Sequence, residues 1–134
     1  MSLPQDCPQR NERRGWLGDA SLSVDEALFN FGGLSPLYRK FLRDIRTTQS
    51  SDPLQLGAVA DTAPFSYGSP VADPAWGHAY PTIAYALYQH EGDAALPVLD
   101  EHFSAMSKWV TFLDAAANVS GMAQMYSNYG DWYK

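Results

Sequence analysis

Three carboxylates (Asp6, Glu12, Asp19), three guanidinium groups (Arg10, Arg13, Arg14), the Cys7 thiol and the Trp16 indole fall within the fourteen residues DCPQRNERRGWLGD. The stretch has neither the three- and four-residue spacing of an amphipathic helix nor the alternation of a strand, so it reads as an ordered loop. Tryptophan and tyrosine recur beside glycine in other connections, as Trp76-Gly77 and Tyr129-Gly130-Asp131-Trp132. Helix faces bury leucine, isoleucine and phenylalanine. Aromatic rings beside glycine in loops instead present flat apolar faces with polar edges, which suits a sugar ring. Carbohydrate is therefore the leading ligand class.

Helices must position these loops. Ser23-Val24-Asp25-Glu26 has the form of a capping box and predicts a short helix from Ser23, with Val24, Ala27, Leu28 and Phe31 on one face and Gly32-Gly33 ending it. Ser35-Pro36 predicts the start of a second helix, running to about Gln49, whose stripe is Leu37, Phe41, Leu42 and Ile45. Residues 50–75 are rich in Pro, Gly, Ser, Asp and Ala and predict a long loop. A third helix, from about Pro81 to His90, is apolar nearly all round and must be buried on more than one side. Leu99, Phe103, Met106, Val110, Leu113 and Ala117 then mark a long packed helix. The fold class is all-α.

Composition narrows the partners. The 134 residues make one domain's length, and 46% hydrophobic with 13% aromatic residues is ample for a packed core. The net charge of −6 and a pI near 4.8 leave no basic face for phosphates, so nucleic acid and anionic membrane are not expected. Met1-Ser2-Leu3 is followed by polar residues and the longest apolar run is too short to span a bilayer, so a soluble chain of unassigned compartment is expected. With Cys7 the only cysteine, no internal disulfide forms, and a buried structural thiol is favoured over a nucleophile. His78, His90 and His102 lack metal-ligand spacing, so neither metal nor cofactor is expected.

Asp6-Cys7-Pro8-Gln9-Arg10-Asn11-Glu12-Arg13 followed by Gly15-Trp16-Leu17-Gly18-Asp19 resembles the signature of the α-L-rhamnosidases, glycoside hydrolase family 78. Further pieces follow in the right order: Phe29-Asn30-Phe31, residues 40–44, Trp76-Gly77, Lys108-Trp109-Val110 and the terminal Tyr129-Gly130-Asp131-Trp132. The resemblance spans the chain and implies an (α/α)6 barrel of helical hairpins, of which residues 1–134 are one partial domain, the N-terminal portion. It implies hydrolysis of rhamnosyl glycosides with inversion. Glu12 matches the general acid, Asp6, Arg10, Trp16 and Asp19 match residues lining the pocket, and Trp76 and Trp132 look like its aromatic walls. Where many members have an aspartate after Trp-Gly, this chain has His78.

Such a mechanism needs a protonated carboxyl group at the leaving oxygen and a carboxylate about 6.5–9.5 Å away to activate water. Glu12 suits the first role: apolar Trp16 and the Asp6 carboxylate favour its protonated form, and Arg10 opposes it unless paired with Asp6 or Asp19. Gly15 and Gly18 are expected to let the backbone turn tightly enough for these groups to converge. In the family the general base is a glutamate beyond the turn that ends this sequence. Two readings follow. In one the chain carries the acid half of a rhamnosidase and is inactive by itself; in the other it is a non-catalytic rhamnose-binding partial domain. A truncated barrel exposes apolar helix faces, so self-association is expected. Trp76 and Trp132 also suit a purely core-closing role, and Trp109, on the long helix, is read as packing.

Overall fold

The computed structural model describes residues 14–64 and 73–120. In chain order these form β1 (Gly15–Trp16), α1 (Leu17–Asn30), α2 (Ser35–Thr47), β2 (Thr62–Ala63), α3 (Pro74–Gly77), α4 (Ala79–Glu91), a 3-10 turn (Gly92–Ala95) and α5 (Leu96–Ser120). The helical expectation holds. The two strands are antiparallel, with Gly15 opposite Ala63 and Trp16 opposite Thr62.

Helix α1 begins six residues before the capping box. Trp16 is extended (φ −66°, ψ 128°) and gives no side-chain cap, but the Leu17 N–H donates to the Asp61 carbonyl at 2.9 Å. A helix-end donor without an intrahelical partner is thus satisfied from another segment. Ser23 lies inside the helix, its hydroxyl donating to the Asp19 carbonyl at 2.8 Å. Local capping chemistry lost to a tertiary contact that has no sequence signature.

Helix α4 lies at the centre, packing on α1, α2, α3 and α5. Its buried residues are Ala79, Tyr80, Ile83, Ala84, Ala86 and Leu87. They form one wide arc rather than burial all round: Tyr85 and Tyr88, apolar in the sequence pattern, are 58% and 37% exposed. Against it α2 buries Tyr38, Phe41, Leu42 and Ile45, so Tyr38 joins three members of the expected stripe while Leu37 is only half-buried.

Helix α5 departs from expectation. The buried residues at its start are Val98, His102, Ala105 and Trp109, whereas Phe103 and Val110 of the predicted stripe are 69% and 56% exposed. Leu99, Met106 and Leu113 are only partly buried. The core-facing line is one residue N-terminal to the apolar one, a rotation of about 100°. Two bulky contacts explain it: the Trp109 ring lies against Gly77, and the Tyr80 hydroxyl bonds His102 Nδ1 at 2.7 Å. Ion pairs hold the same orientation. Arg43 donates twice to the Glu101 carboxylate, at 2.8 Å each, and Arg46 lies 3.6 Å from it. Hydrogen bonding from Arg43, with the nearby positive charges, holds the Glu101 carboxyl down to about 2.

Candidate functional site

The Gly15-Trp16 pair enters the fold as β1, and its ladder with β2 explains the glycine. A β-carbon on Gly15 would lie 2.3 Å from the Ala63 carbonyl oxygen, so only glycine lets the two backbones approach. Gly18 has a similar reason: a β-carbon there would meet the Trp76 indole at 2.6 Å. Neither residue is among the positive-φ glycines. These glycines serve close approach rather than the tight turn expected of them.

Trp76 reaches Gly18 because α3 is rigidly placed. Asp73 is fully buried and caps α3, its Oδ1 accepting from the Ala75 N–H at 2.8 Å, while its carbonyl accepts from Trp76 and Gly77 at 3.0 and 2.8 Å. Pro74 follows at the first helical position, where its missing N–H costs nothing. The Asp73 N–H in turn donates to Asp61 Oδ1 at 3.0 Å. Asp61 is itself buried, and its carbonyl is the acceptor for Leu17. One aspartate therefore binds α3 on its side chain and the start of α1 on its backbone.

Three of the site residues singled out in the sequence lie among those described, and Trp76 is brought to the segment between the other two. Trp16 is buried, at 8% exposure, immediately before α1; Asp19 is exposed in the first turn of that helix, where the N-terminal end of the helix dipole favours its charge; and half-buried Trp76 lies across Gly18 between them in sequence. Asp6, Arg10, Glu12 and Trp132, like Cys7, lie outside the described residues. Asp61 and Asp73 escaped the sequence reading. Asp73-Pro74 carries a helix-start signal that marks the second of them, but nothing local marks Asp61.

Of the described histidines, His78 adjoins this site in sequence, two residues after Trp76. His78 is exposed at the end of α3, His90 lies 3.5 Å from Asp25 between α4 and α1, and His102 is in the core. Burial is the main force depressing the pKa of His102, and burial raises that of Tyr80. Among the described residues no group of three His, Cys, Asp or Glu side chains is placed to hold a metal, and no helix is long and apolar enough to cross a membrane.

Residues 1–134 match the family model described as the bacterial alpha-L-rhamnosidase 6 hairpin glycosidase domain. The chain belongs to this family. It is 35% identical over 134 residues to an alpha-L-rhamnosidase of Streptomyces avermitilis, a match covering 98% of this chain and 12% of the relative. It is 30% identical to one from an Alteromonas species, covering 98% and 13%. Among solved structures, an alpha-L-rhamnosidase from Dictyoglumus thermophilum superposes with a TM-score of 0.79 at 47% identity, over 90% of this chain and 13% of that one. The Streptomyces avermitilis enzyme complexed with L-rhamnose gives 0.75 at 32%, over 85% and 10%. The helices are thus part of a six-hairpin glycosidase fold, and the chain spans about one eighth of the length of the curated relatives it matches.

Proposed function

We propose that this chain contributes the general-acid half of a site that hydrolyses terminal α-L-rhamnosyl residues with inversion. Glu12 protonates the departing glycosidic oxygen. Asp6, Arg10 and Asp19 hold the sugar hydroxyls, and Trp16, Trp76 and Trp132 form the apolar walls. A glutamate beyond residue 134 activates the water on the opposite face of the sugar, at the wider carboxylate separation of inverting enzymes. The observation that carries the reading is the contact of Trp76 with Gly18, which places an indole against the segment holding Trp16 and Asp19. Two relatives named alpha-L-rhamnosidase and a neighbour complexed with L-rhamnose support the choice of sugar.

The first test is a tryptophan-fluorescence titration of the chain with L-rhamnose, with D-glucose as control. A saturable change with L-rhamnose alone, lost in Trp16→Phe, is the expected result. No change in a chain that melts cooperatively overturns a sugar site assembled within these residues. Catalysis is tested in the full-length polypeptide carrying this segment: Glu12→Gln is expected to lower kcat on an aryl α-L-rhamnoside by about 10²–10⁴-fold. Full activity in that variant removes Glu12 from the acid role.

A further inference from the structure

The geometry points to Asp61 as a positioning residue for the sugar site: it ties the start of α1 to α3 and so sets where Trp76 stands over Gly18. Asp61 is 4% exposed and immediately precedes β2. Its carbonyl accepts the Leu17 N–H at 2.9 Å, one residue before Gly18. Its Oδ1 accepts the Asp73 N–H at 3.0 Å, three residues before Trp76. The two partners come from segments 56 residues apart in sequence, and α3 has a single turn of its own. A four-residue helix has no independent stability, so its placement must come from such outside bonds. The β-ladder reinforces the first tie, since Thr62 and Ala63 pair with Trp16 and Gly15 directly after Asp61.

The Trp76 indole occupies the space a β-carbon on Gly18 would take, so it has little slack toward α1. Loss of the Asp61 acceptor leaves the buried Asp73 N–H without this partner, and α3 must shift to find another. The indole then retreats from the α1 side of the pocket. The tie to Asp73 uses Asp61 Oδ1 as an acceptor, and the isosteric amide keeps an acceptor oxygen at that position, so Asp61→Asn should preserve the tie. A carboxylate with a direct catalytic role has the opposite property.

The test uses the chain labelled with 5-fluorotryptophan, its Trp76 resonance assigned through Trp76→Phe, together with L-rhamnose titrations. Asp61→Ala is expected to displace the Trp76 fluorine resonance and to weaken L-rhamnose about tenfold or more, as loss of site preorganisation does. Asp61→Asn is expected to leave the resonance in place and the affinity within about twofold. An undisplaced resonance in Asp61→Ala overturns the proposal, and so does an Asp61→Asn variant as impaired as the alanine. If Asp61→Ala does not fold, amide exchange in the unaltered chain decides: protection of the Asp73 N–H comparable with that of α4 supports the tie, and exchange at an open-loop rate overturns it. The titration arm rests on the rhamnoside reading, whereas the fluorine and exchange arms do not. A chain that ignores L-rhamnose while Asp61→Ala still displaces Trp76 therefore removes the sugar and leaves the tie established.

Discussion

The indole of Trp76 lies directly on the backbone of Gly18, so close that a β-carbon added to the glycine would stand 2.6 Å from Cε2 and 2.8 Å from Nε1. That contact joins two segments that the sequence separates by more than fifty residues. Gly18→Ala is therefore expected to push the indole off α1, at a cost of about 1–3 kcal/mol from overpacking. Urea unfolding should show the loss as a lower midpoint at unchanged slope, and L-rhamnose titration should show weaker binding. A variant as stable as the parent would mean that α3 yields without resistance.

A buried polar pair supports the second prediction. Tyr80 and His102 are both fully buried and bonded at 2.7 Å. Because burial raises the Tyr80 pKa, its hydroxyl is protonated and donates, leaving Nδ1 of a neutral imidazole to accept. Tyr80→Phe strands that acceptor in the core and is expected to cost about 1–3 kcal/mol, measured by urea unfolding near pH 7.5. The pKa of His102 is lowered in the fold, so as pH falls below the ordinary value of 6.5 the unfolded chain takes up a proton that the folded one refuses. Stability contributed by keeping His102 neutral is thus lost on acidification through that range, and His102→Gln should flatten this part of the profile.

Glu101 governs a separate, more acidic window. Its carboxyl is held near 2 by Arg43, against an ordinary value of 4.5, so its contribution is complete above 4.5 and is lost as pH falls toward 2. Thermal melts between pH 5 and 2 are expected to show a shallower decline in Glu101→Gln than in the parent. Added salt should weaken the contribution, because both side chains of the Arg43–Glu101 pair are open to solvent and their attraction is screened. Parallel declines in the two proteins would show that the pair carries no pH-dependent stability.

What the sequence discloses depends on whether the cause is local. The burial of α4 was legible because Ile83, Ala84, Ala86 and Leu87 leave it almost no polar face, and the start of α2 because Pro36 suits the first turn. The rhamnosidase resemblance was legible because its residues form one contiguous run. The start of α1 was not, since its N-terminal N–H is satisfied by Asp61, 44 residues downstream. The rotation of α5 was hidden for a related reason: its core line includes His102 and Ala105, which a hydrophobicity pattern passes over, while Phe103 and Val110 outrank them and lie outside. Of the candidate site, Trp16 and Trp76 could be named from the sequence. The approach of Trp76 to the Gly18 backbone could not, because it depends on the absence of a side chain at Gly18 and on a buried acid with no motif around it.

That displaced stripe makes the last prediction. Phe103 and Val110 stand two helical turns apart on α5, 69% and 56% exposed, and Phe103 borders a groove of about 410 Å³ shared with Leu56, itself 57% exposed. Apolar side chains grouped this way favour association. In a solution of the purified 134-residue chain, the surface available to cover them is the same face of a second copy, a two-fold arrangement in which each Phe103 seats in the partner's groove. Sedimentation equilibrium is expected to show a monomer–dimer equilibrium that Phe103→Glu together with Val110→Glu shifts to monomer, because each dimer would then bring four carboxylates into the shared interface. Both substitutions are on the solvent side of α5, so the thermal midpoint extrapolated to low concentration should move little. A parent chain that stays monomeric at millimolar concentration would show that six net negative charges per copy outweigh the apolar face.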